Sequence, residues 1–524
     1  MTSLPAAYVE RIKQQLGGEA DAFLRSYDSP RTYGLRLNPL KTDCTSETEA
    51  DLPLGTAIPS ENSPSAPHFP DNQQADADSD ADSRRTDSNV YGTRAHPAAE
   101  AAKELFRLKP VPWCGTGYYY EESTRPGKHP FHAAGLLYIQ EPSAMIAAEL
   151  LDPQPGELVL DLAAAPGGKT TQIAGKLAGR GLLVANEIHA GRAKILAENV
   201  ERMGIRNAVV TNAAPDELST RWPEAFDRIM LDAPCSGEGM FRKDDGAVAE
   251  WSPAAVDVCV GRQRSILPDA ARMLKRGGRL VYSTCTFNRA ENEETIAWFL
   301  SEHPDFVLLK EERMWPHQLE GEGHYAAVLE RAATAVNATD IEYETSRPQA
   351  QESRSKPKSR PSKGRRSDSS ASSSQTPAAA MELFRQFARE ALPGFALSPD
   401  GEPLLFGDAL YWLPTPAGSP LRSDTLAGLR TPRPGLHLGD VLKGRFEPSH
   451  ALAMAACATD AARSADYAPD SHEAAAYLRG ESLPAPDPAV KGWGLLTVMG
   501  LPLGWFKASD GQLKNRLPKG LRLP

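Results

Sequence analysis

The feature that most constrains the fold of this chain is an alternation of short apolar segments with longer amphipathic ones through its middle. The short segments predict five strands, at Leu158–Leu162, Leu182–Asn186, Ala208–Thr211, Arg228–Asp232 and Arg279–Ser283. Helices are predicted between them, at Lys169–Leu177, His189–Met203 and Val260–Leu274, the last ending at the stop sequence KRGG. This alternation predicts an α/β fold with a mostly parallel sheet, whose functional side chains lie at the carboxyl ends of the strands.

A turn of small residues follows the first strand. The predicted turn comprises Ala163, Ala164, Ala165, Pro166, Gly167, Gly168 and Lys169. Small residues let the backbone approach a ligand closely, and the next helix offers free N–H groups to an anionic group. The sequence GGKT is similar to a nucleotide P-loop, but that motif requires glycine where Ala163 stands, so phosphate binding is disfavoured.

Polar residues at the next strand ends indicate the kind of ligand. Glu187 ends the second strand, where an acid commonly accepts hydrogen bonds from ribose hydroxyls, although an acid at a strand end can also be merely solvated. Asn212 after the third strand is expected to face an adenine, and Arg192 and Asp232 are assigned to the same pocket. The set favours a nucleoside with an anionic amino-acid part, S-adenosylmethionine, over a dinucleotide.

Two cysteines follow the last two predicted strands, Cys235 in LDAPCSGEG and Cys285 in LVYSTCT. One thiol there could be mere packing, but two thiols beside Asp232 indicate chemistry. The six cysteines of the chain are scattered without a CxxC pair, so we expect no metal site.

Taken together, AAAPGGKT, DAPCSGEG and YSTCT resemble the Nop/Sun family of RNA 5-methylcytosine methyltransferases. The resemblance covers residues 4–41 and 112–306. It continues into RPGLHLGDVLKGRFEPSHALA and GWGLLTVMGLPLGWFKASDGQLKNRLPKGLR, which look like the bacterial ribosomal-RNA branch with its C-terminal PUA-like domain. The resemblance implies a Rossmann-like S-adenosylmethionine methyltransferase domain that methylates carbon 5 of cytidine in ribosomal RNA, with small-subunit rRNA as the expected substrate.

The resemblance also implies a role for each catalytic residue. Cys285 would attack carbon 6 of cytosine, and Cys235 would assist product release. Asp232 would contact ring nitrogen 3 and the exocyclic amine, and also the cofactor. Lys169 would lower the pKa of a thiol or steady charge on the base, unless it is only structural. Asn212 stands where many members of the family carry aspartate.

Four regions are expected along the chain. Residues 1–150 form an α+β RNA-binding extension with a disordered insertion at 51–89, and 151–310 form the methyltransferase domain. Residues 340–377 form a disordered basic linker, either a plain solvated linker or a cationic arm that tracks RNA, and 378–524 form the PUA-like domain. Gln140, Glu141 and Ser143 are candidate floor residues of the active site, and Tyr118–Tyr120 either stack on bases or pack in a core.

The net charge of −10 means that an RNA site must be a local basic patch. Its candidates are the C-terminal residues Lys507, Lys514, Arg516, Lys519 and Arg522. Without an apolar run of roughly 20 residues or a signal core, the chain is expected to be a cytoplasmic monomer that acts on RNA, a ribosomal subunit included, and not on a membrane. Three alternatives stay open: a transfer-RNA substrate, a non-catalytic RNA-binding assembly factor, and a DNA-type enzyme in which Cys235 is the nucleophile.

Overall fold

The structure, a computed structural model, describes residues 4–42, 96–334 and 376–523. The insertion predicted at 51–89 lies outside the described residues. So does the linker predicted at 340–377, apart from its last two residues, which begin a helix.

The N-terminal region combines helices with a small antiparallel sheet in the strand order β2-β3-β1-β4. Its elements are α1 (Ala6–Leu16), α2 (Ala20–Arg25), β1 (Gly34–Leu37), α3 (Pro39–Thr42), α4 (Pro97–Leu105), β2 (Lys109–Val111), β3 (Cys114–Tyr119), α5 (Pro130–Ala133), β4 (Leu137–Ile139) and α6 (Ile146–Leu151). Buried Arg36 of β1 donates to Gly168 O at 2.6 Å and to Thr171 Oγ1 at 2.7 Å. The small sheet is thereby tied to the glycine turn of the next region.

The middle region is a seven-stranded sheet in the order β10-β11-β9-β8-β5-β6-β7, in which six strands run in one direction and β11 runs opposite to them. Its elements are β5 (Leu158–Asp161), α7 (Gly168–Leu177), β6 (Leu182–Asn186), α8 (Ala190–Arg202), β7 (Ala208–Thr211), α9 (Pro215–Arg221), β8 (Phe226–Asp232), α10 (Asp245–Glu250), α11 (Pro253–Met273), β9 (Leu274–Thr284), α12 (Glu293–Glu302), β10 (Phe306–Met314) and β11 (His324–Arg331). Helices cover the sheet, and the expected α/β class is confirmed.

Two local features differ from the sequence expectation. The helix predicted to end at Leu274 ends at Met273, but the KRGG sequence that follows lies inside β9, because pairing with β8 begins at once at Leu274. The sheet also continues past residue 310 through β10 and β11, which pair with each other and with β9. Residue 310 therefore falls within a strand of this sheet.

The C-terminal region holds two sheets, β12-β13-β14-β15 and β16-β18-β19-β20-β17. Its elements are α13 (Pro377–Ala391), β12 (Gly401–Phe406), β13 (Ala409–Pro414), α14 (Ser423–Leu426), β14 (Leu436–Leu442), β15 (Arg445–Pro448), α15 (His450–Ala455), β16 (Ser464–Tyr467), α16 (His472–Arg479), β17 (Leu483–Pro484), β18 (Gly492–Val498), β19 (Leu501–Ser509) and β20 (Gln512–Asn515). None of the helices in the described ranges is long and apolar enough to cross a membrane.

The three regions share hydrophobic cores. Leu404 and Leu413 of the first C-terminal sheet pack into the core of the middle sheet. Phe106 and Phe131 of the N-terminal region pack with Phe506 of the second C-terminal sheet. Burial of apolar surface between regions holds them together, so the site at the strand ends sits within a continuous body.

Candidate functional site

The two predicted cysteines meet at the carboxyl ends of β8 and β9. These neighbouring parallel strands bring Cys235 and Cys285 together, and their Sγ atoms lie 3.4 Å apart. The hydrogen bond with Cys285, and then burial, raise the pKa of Cys235 well above the usual thiol value. Cys235 is therefore held as a thiol at neutral pH, next to a second sulfur that can accept its proton in a hydrogen bond.

A charged pair stands beside the two thiols. Lys169 Nζ lies 2.7 Å from Asp232 Oδ2, and Ser283 Oγ donates to Asp232 Oδ1 at 2.8 Å. Burial raises the pKa of Asp232, but the charge of Lys169, the nearby His324 and the hydrogen bonds from Lys169 and Ser283 together outweigh burial, and the net shift is downward. Because the Asp232 side chain is 36% exposed and that of Lys169 only 8%, the ionised carboxylate can still receive hydrogen bonds from a ligand.

Glu291 is a functional candidate that the sequence reasoning did not identify. Its buried carboxylate accepts from Ser236 N at 2.8 Å, Ser236 Oγ at 2.6 Å and Thr286 Oγ1 at 3.2 Å. Ser236 follows Cys235 and Thr286 follows Cys285, so one carboxylate joins the two cysteine loops. Burial raises the pKa of Glu291. The only available signal was an acid in NRAENEE, six residues beyond Cys285.

His324, at the start of β11, was also missed. Its Nε2 lies 3.8 Å from Asp232 Oδ1, and burial lowers its pKa to about 4, so the ring is neutral at pH 7. Neither ring nitrogen has a hydrogen-bond partner within the described ranges. Leaving a buried polar atom without a hydrogen-bond partner costs free energy, so a ligand that forms a hydrogen bond with His324 would be favoured here. No pattern in the sequence pointed to His324, because the strand that carries it was itself not predicted.

The glycine turn has the shape of a ligand cradle. Gly167, with φ of +115°, is the N-cap of α7, and no side chain caps this helix. Below the turn, Thr170 Oγ1 donates to Asp161 Oδ2 at 2.6 Å while Asp161 Oδ1, also buried, has no partner in the described structure. Burial raises the pKa of Asp161 to about 7. Free helix N–H groups and an unpartnered carboxyl oxygen fit the amino-acid part of S-adenosylmethionine.

The other predicted cofactor residues surround this turn. Arg192 donates to Ala165 O at 2.6 Å and lies 3.4 Å from Glu187 Oε2, and Glu187 is buried at the end of β6. Asn212 is differently engaged: its amide donates to Glu187 O at 2.7 Å and to Ile188 O at 2.8 Å. Both donor hydrogens of Asn212 are thus used by backbone, so contact with an adenine through this side chain stays a prediction.

The predicted floor residues connect the N-terminal sheet to the site. Gln140 accepts from Arg36 Nε, and Glu141 accepts from Ser143 N at 3.0 Å and from Glu322 N at 2.8 Å. Ser143 Oγ in turn accepts from Gly323 N at 3.1 Å. These bonds hold the segment that leads into His324.

The remaining predicted residues lie away from the thiols. Tyr118 and Tyr120 pack partly against a hydrophobic core, and Tyr119 donates to Glu320 O at 3.1 Å. In the C-terminal cluster, Lys507 and Arg516 both lie over the ring of Trp493, at 5.1 and 5.2 Å from its centroid. No group of three or more potential metal ligands occurs in the ranges that the structure describes.

Comparison with known families gives four matches along the chain. Residues 4–61 and 79–142 match the N-terminal domain of 16S rRNA methyltransferase RsmF, and 148–330 match 16S rRNA methyltransferase RsmB/F. Residues 386–455 match the RsmF rRNA methyltransferase first C-terminal domain, and 464–523 match the methyltransferase RsmF PUA domain.

Individual relatives span most of the chain. The ribosomal RNA small subunit methyltransferase F of Shewanella loihica is 33% identical over 448 residues, which is 79% of this chain and 84% of that protein. The protein of the same name from Enterobacter sp. is 34% identical over 447 residues, again 79% and 84%. A methyltransferase homologue from Pyrococcus horikoshii has a solved structure with 25% identity, a TM-score of 0.47, and coverage of 62% of this chain and 94% of its own.

Proposed function

Because this chain belongs to the RsmB/F family of 16S rRNA methyltransferases, we propose that it methylates carbon 5 of a cytidine in small-subunit ribosomal RNA through a covalent cysteine adduct. The expected enzyme class, an S-adenosylmethionine-dependent RNA cytosine-5 methyltransferase, is confirmed by this membership. The adduct, the cytidine and the part played by each residue belong to the proposal. The observation that carries it is the pair of sulfurs 3.4 Å apart beside the Asp232–Lys169 ion pair.

Small-subunit rRNA is the proposed substrate because the relatives that span most of this chain carry that substrate in their names. The match of residues 464–523 to a PUA domain of the same enzymes supports this choice over transfer RNA. All the proposed catalytic residues come from one chain, so a monomer suffices. A transfer RNA that is methylated in place of rRNA would overturn the substrate assignment.

The reaction needs a nucleophile because carbon 5 of cytosine is poorly nucleophilic. As the sulfur of Cys285 adds to carbon 6, the electron pair of the C5–C6 double bond shifts to carbon 5 and on through carbon 4 to nitrogen 3, which takes up the proton that the Cys285 thiol gives up. Asp232, ionised and fixed by Lys169 and Ser283, accepts hydrogen bonds from protonated nitrogen 3 and the exocyclic amine. This contact stabilises the charge that the attack creates.

S-adenosylmethionine supplies the electrophilic methyl group to carbon 5. The residues proposed to hold it are the turn at 163–169, Glu187 for the ribose hydroxyls and Asp161 for the amino-acid part, with Arg192 fixing the turn through Ala165 O. After methylation Cys235, once its thiol proton has passed to solvent, removes the proton from carbon 5. The electron pair of the C5–H bond restores the C5–C6 double bond, the C6–S bond breaks to release Cys285 as a thiolate, and nitrogen 3 gives up its proton. Because the pKa of the Cys235 thiol is raised, its thiolate is a strong base, as removal of a proton from carbon 5 requires.

Trapping of the covalent protein–RNA intermediate tests which cysteine attacks the base and which assists release. Cys235→Ala should accumulate a covalent protein–RNA species that survives denaturing electrophoresis, because attack proceeds and release does not. Cys285→Ala and the double variant should give no adduct and no methyl transfer. The measurement uses full-length protein, S-adenosylmethionine and 16S rRNA from a strain that lacks this gene. An adduct in Cys285→Ala would instead make Cys235 the nucleophile, as in a DNA-type enzyme.

Loss of activity in every variant would not by itself distinguish a catalytic role from misfolding. Cys259→Ala provides the control, since Cys259 is a free thiol on α11 outside the pair. It should methylate as the unmodified protein does. If no protein forms an adduct or transfers methyl groups to rRNA, the proposed activity is wrong.

A further inference from the structure

A cavity of about 400 Å³ lies beside the catalytic site and is used by none of the steps above. Four segments form it: the chain before β1, the end of β3, the loop before β11, and the loop between β8 and α10. Its lining includes Arg31, Tyr33, Tyr119, Tyr120, Arg242 and Glu320. Its size falls within the range of small-molecule sites, roughly 300–1,000 Å³.

One wall of the cavity leads towards the catalytic site. Gly321 lines the cavity, and three residues later His324 lies 3.8 Å from Asp232. Three extended residues span at most roughly 11 Å. A Cβ built on Gly239, in the Cys235 loop, would meet the carbonyl oxygens of Cys285 and Gly323 at 3.0 Å each. The cavity and the thiols are therefore close enough to be served by one short stretch of extended RNA.

The lining offers aromatic faces and one available cation. The rings of Tyr33 and Tyr120 lie 5.7 Å apart and are tilted by 53°, and the guanidinium of Arg31 lies 5.6 Å from the ring centroid of Tyr33. Arg31 is exposed and makes no salt bridge within the described residues. Unpaired nucleotides are bound in this way, with aromatic rings against the base and a guanidinium near the backbone.

Arg242 has a structural role in the wall. Its Nε lies 2.7 Å from Glu322 Oε2, and it also donates to Ser26 O and Gly321 O at 2.8 Å each. Its charge is neutralised and its donors are used, so it shapes the cavity without attracting phosphate. Tyr119 is likewise committed through its hydroxyl to Glu320 O. The guanidinium of Arg31 and the ring of Tyr33, whose hydroxyl is bonded to Glu122, are thus the groups left to a ligand.

We propose that this cavity binds the base of an unpaired nucleotide that flanks the target cytidine, with Tyr33 stacking on the base and Arg31 contacting its phosphate. The proposal rests on the proposed function, because it takes the occupant from the same RNA strand. Holding a neighbouring base out of its stack helps to keep the target cytidine extruded for attack by Cys285. The cavity therefore acts in RNA positioning and makes no contact with the reacting atoms.

Steady-state kinetics with unmodified 16S rRNA test the stacking. Tyr33→Leu should raise KM for rRNA about five- to tenfold, as expected for loss of one base–aromatic stack, with kcat and S-adenosylmethionine affinity little changed. Tyr33→Phe keeps the ring and should behave as the unmodified protein. Arg31→Gln should raise KM and reduce its salt dependence, whereas Arg25→Gln, an exposed arginine outside the cavity, should do neither.

Ultraviolet cross-linking of the Cys235→Ala adduct tests the location. The trapped cytidine fixes the register, and mass spectrometry should find peptides containing residues 29–33 or 119–120 joined to a nucleotide close to it in sequence. Absence of the adduct would reject the proposed function. An adduct without cross-links to these peptides, or a Tyr33→Leu variant with unchanged KM, would reject the cavity assignment while leaving the function intact. A cross-link from the cavity to a ribosomal protein would reject it too.

Discussion

At the scale of single residues, the cysteine pair depends on a carboxylate that touches neither sulfur. Glu291 receives hydrogen bonds from the residue after Cys235 and the residue after Cys285, and Gln263 Nε2 lies 3.3 Å from its Oε1. The backbone carbonyl of Glu291 also accepts from Tyr282 Oη at 2.6 Å. A single acid therefore sets the relative position of two loops that reach the site from different strands.

Glu291→Gln should lower kcat about 10- to 100-fold, because an amide cannot accept all the bonds now made to the carboxylate and a shift of about 1 Å in reacting groups costs on this order. KM for rRNA and affinity for S-adenosylmethionine should change little, since Glu291 contacts neither proposed pocket. Steady-state methylation kinetics measure kcat and KM, and calorimetry measures the affinity for S-adenosylmethionine. Glu294→Gln, an exposed acid on α12, is the matched control. Equal kcat in the two variants would show that the hydrogen bonds of the Glu291 carboxylate to the two cysteine loops are not needed for catalysis.

At the scale of elements, local sequence predicted the inner strands closely and the outer ones poorly. β6 and β7 have the predicted bounds, and the catalytic groups lie at the strand ends where a parallel sheet places them. β10 was missed because five consecutive residues, Val307–Glu311, are exposed, so no alternation marks it, although its partner β11 follows closely along the chain. His324 and Glu291 were missed for a different reason, since both act through contacts between elements distant in sequence.

The second C-terminal sheet presents two residues of the predicted basic cluster on adjacent strands. Lys507 of β19 pairs directly with Lys514 of β20, and Trp493 of β18 pairs with Lys507. Like charges placed opposite each other are unfavourable for the sheet alone, and Asp510, 3.3 Å from Lys514 Nζ, offsets only one of them. Arg516 adds a third charge over the same indole.

Charge reversal at Lys507 and Lys514 to Glu should weaken rRNA binding about tenfold or more at moderate salt and reduce the dependence of affinity on salt concentration, because fewer counterions are released. Affinity for S-adenosylmethionine should stay the same. Filter binding across a salt series measures the effect. Lys443→Glu, on an exposed turn of the first C-terminal sheet, is the control. An unchanged salt slope in the double variant would place the RNA surface elsewhere.

At the scale of the whole molecule, the C-terminal region is joined to the catalytic sheet at the edge nearest the proposed cofactor pocket. Val210 N of β7 donates to Arg433 O at 2.7 Å, and Asn212 N donates to Arg430 O at 2.8 Å. Arg206 of the catalytic region also contacts the C-terminal region, because its Nε donates to Ala455 O at 2.7 Å. Movement of the C-terminal region relative to β7 would therefore disturb the rim that carries Glu187 and Asn212.

A buried lysine lies where the N-terminal, catalytic and C-terminal regions meet. Lys41 Nζ donates to Met454 O, and it lies so close to Gly204 that a Cβ added to that glycine would be 3.0 Å from the Nζ atom. Burial, followed by the nearby Arg206 and Arg202, lowers the pKa of Lys41 from its ordinary 10.5 to about 7. His450 is the other titratable group that faces it, and its own pKa is about 4 because of burial, so it is neutral across the alkaline range.

The pH dependence of stability follows from the direction of this shift. Between about pH 7 and pH 10.5 the unfolded chain binds more protons at Lys41 than the folded protein does, so the contribution of Lys41 to stability rises with pH in that window. At pH 7 the depressed pKa corresponds to a cost of roughly 4 kcal/mol, at 1.36 kcal/mol for each pKa unit. Loss of the hydrogen bond to Met454 O would cost only about 1–3 kcal/mol.

Lys41→Met should therefore be more stable than the unmodified protein at pH 7, because it removes the buried charge, and less stable near pH 10, where only the lost hydrogen bond counts. The midpoint of thermal unfolding, measured for both proteins from pH 7 to pH 10, should show the two curves crossing. Lys13→Met, an exposed lysine on α1, should show a small difference that does not depend on pH. A gap between Lys41→Met and the unmodified protein that stays constant over this range would mean that Lys41 remains charged in the folded molecule, and that the junction of the three regions admits water.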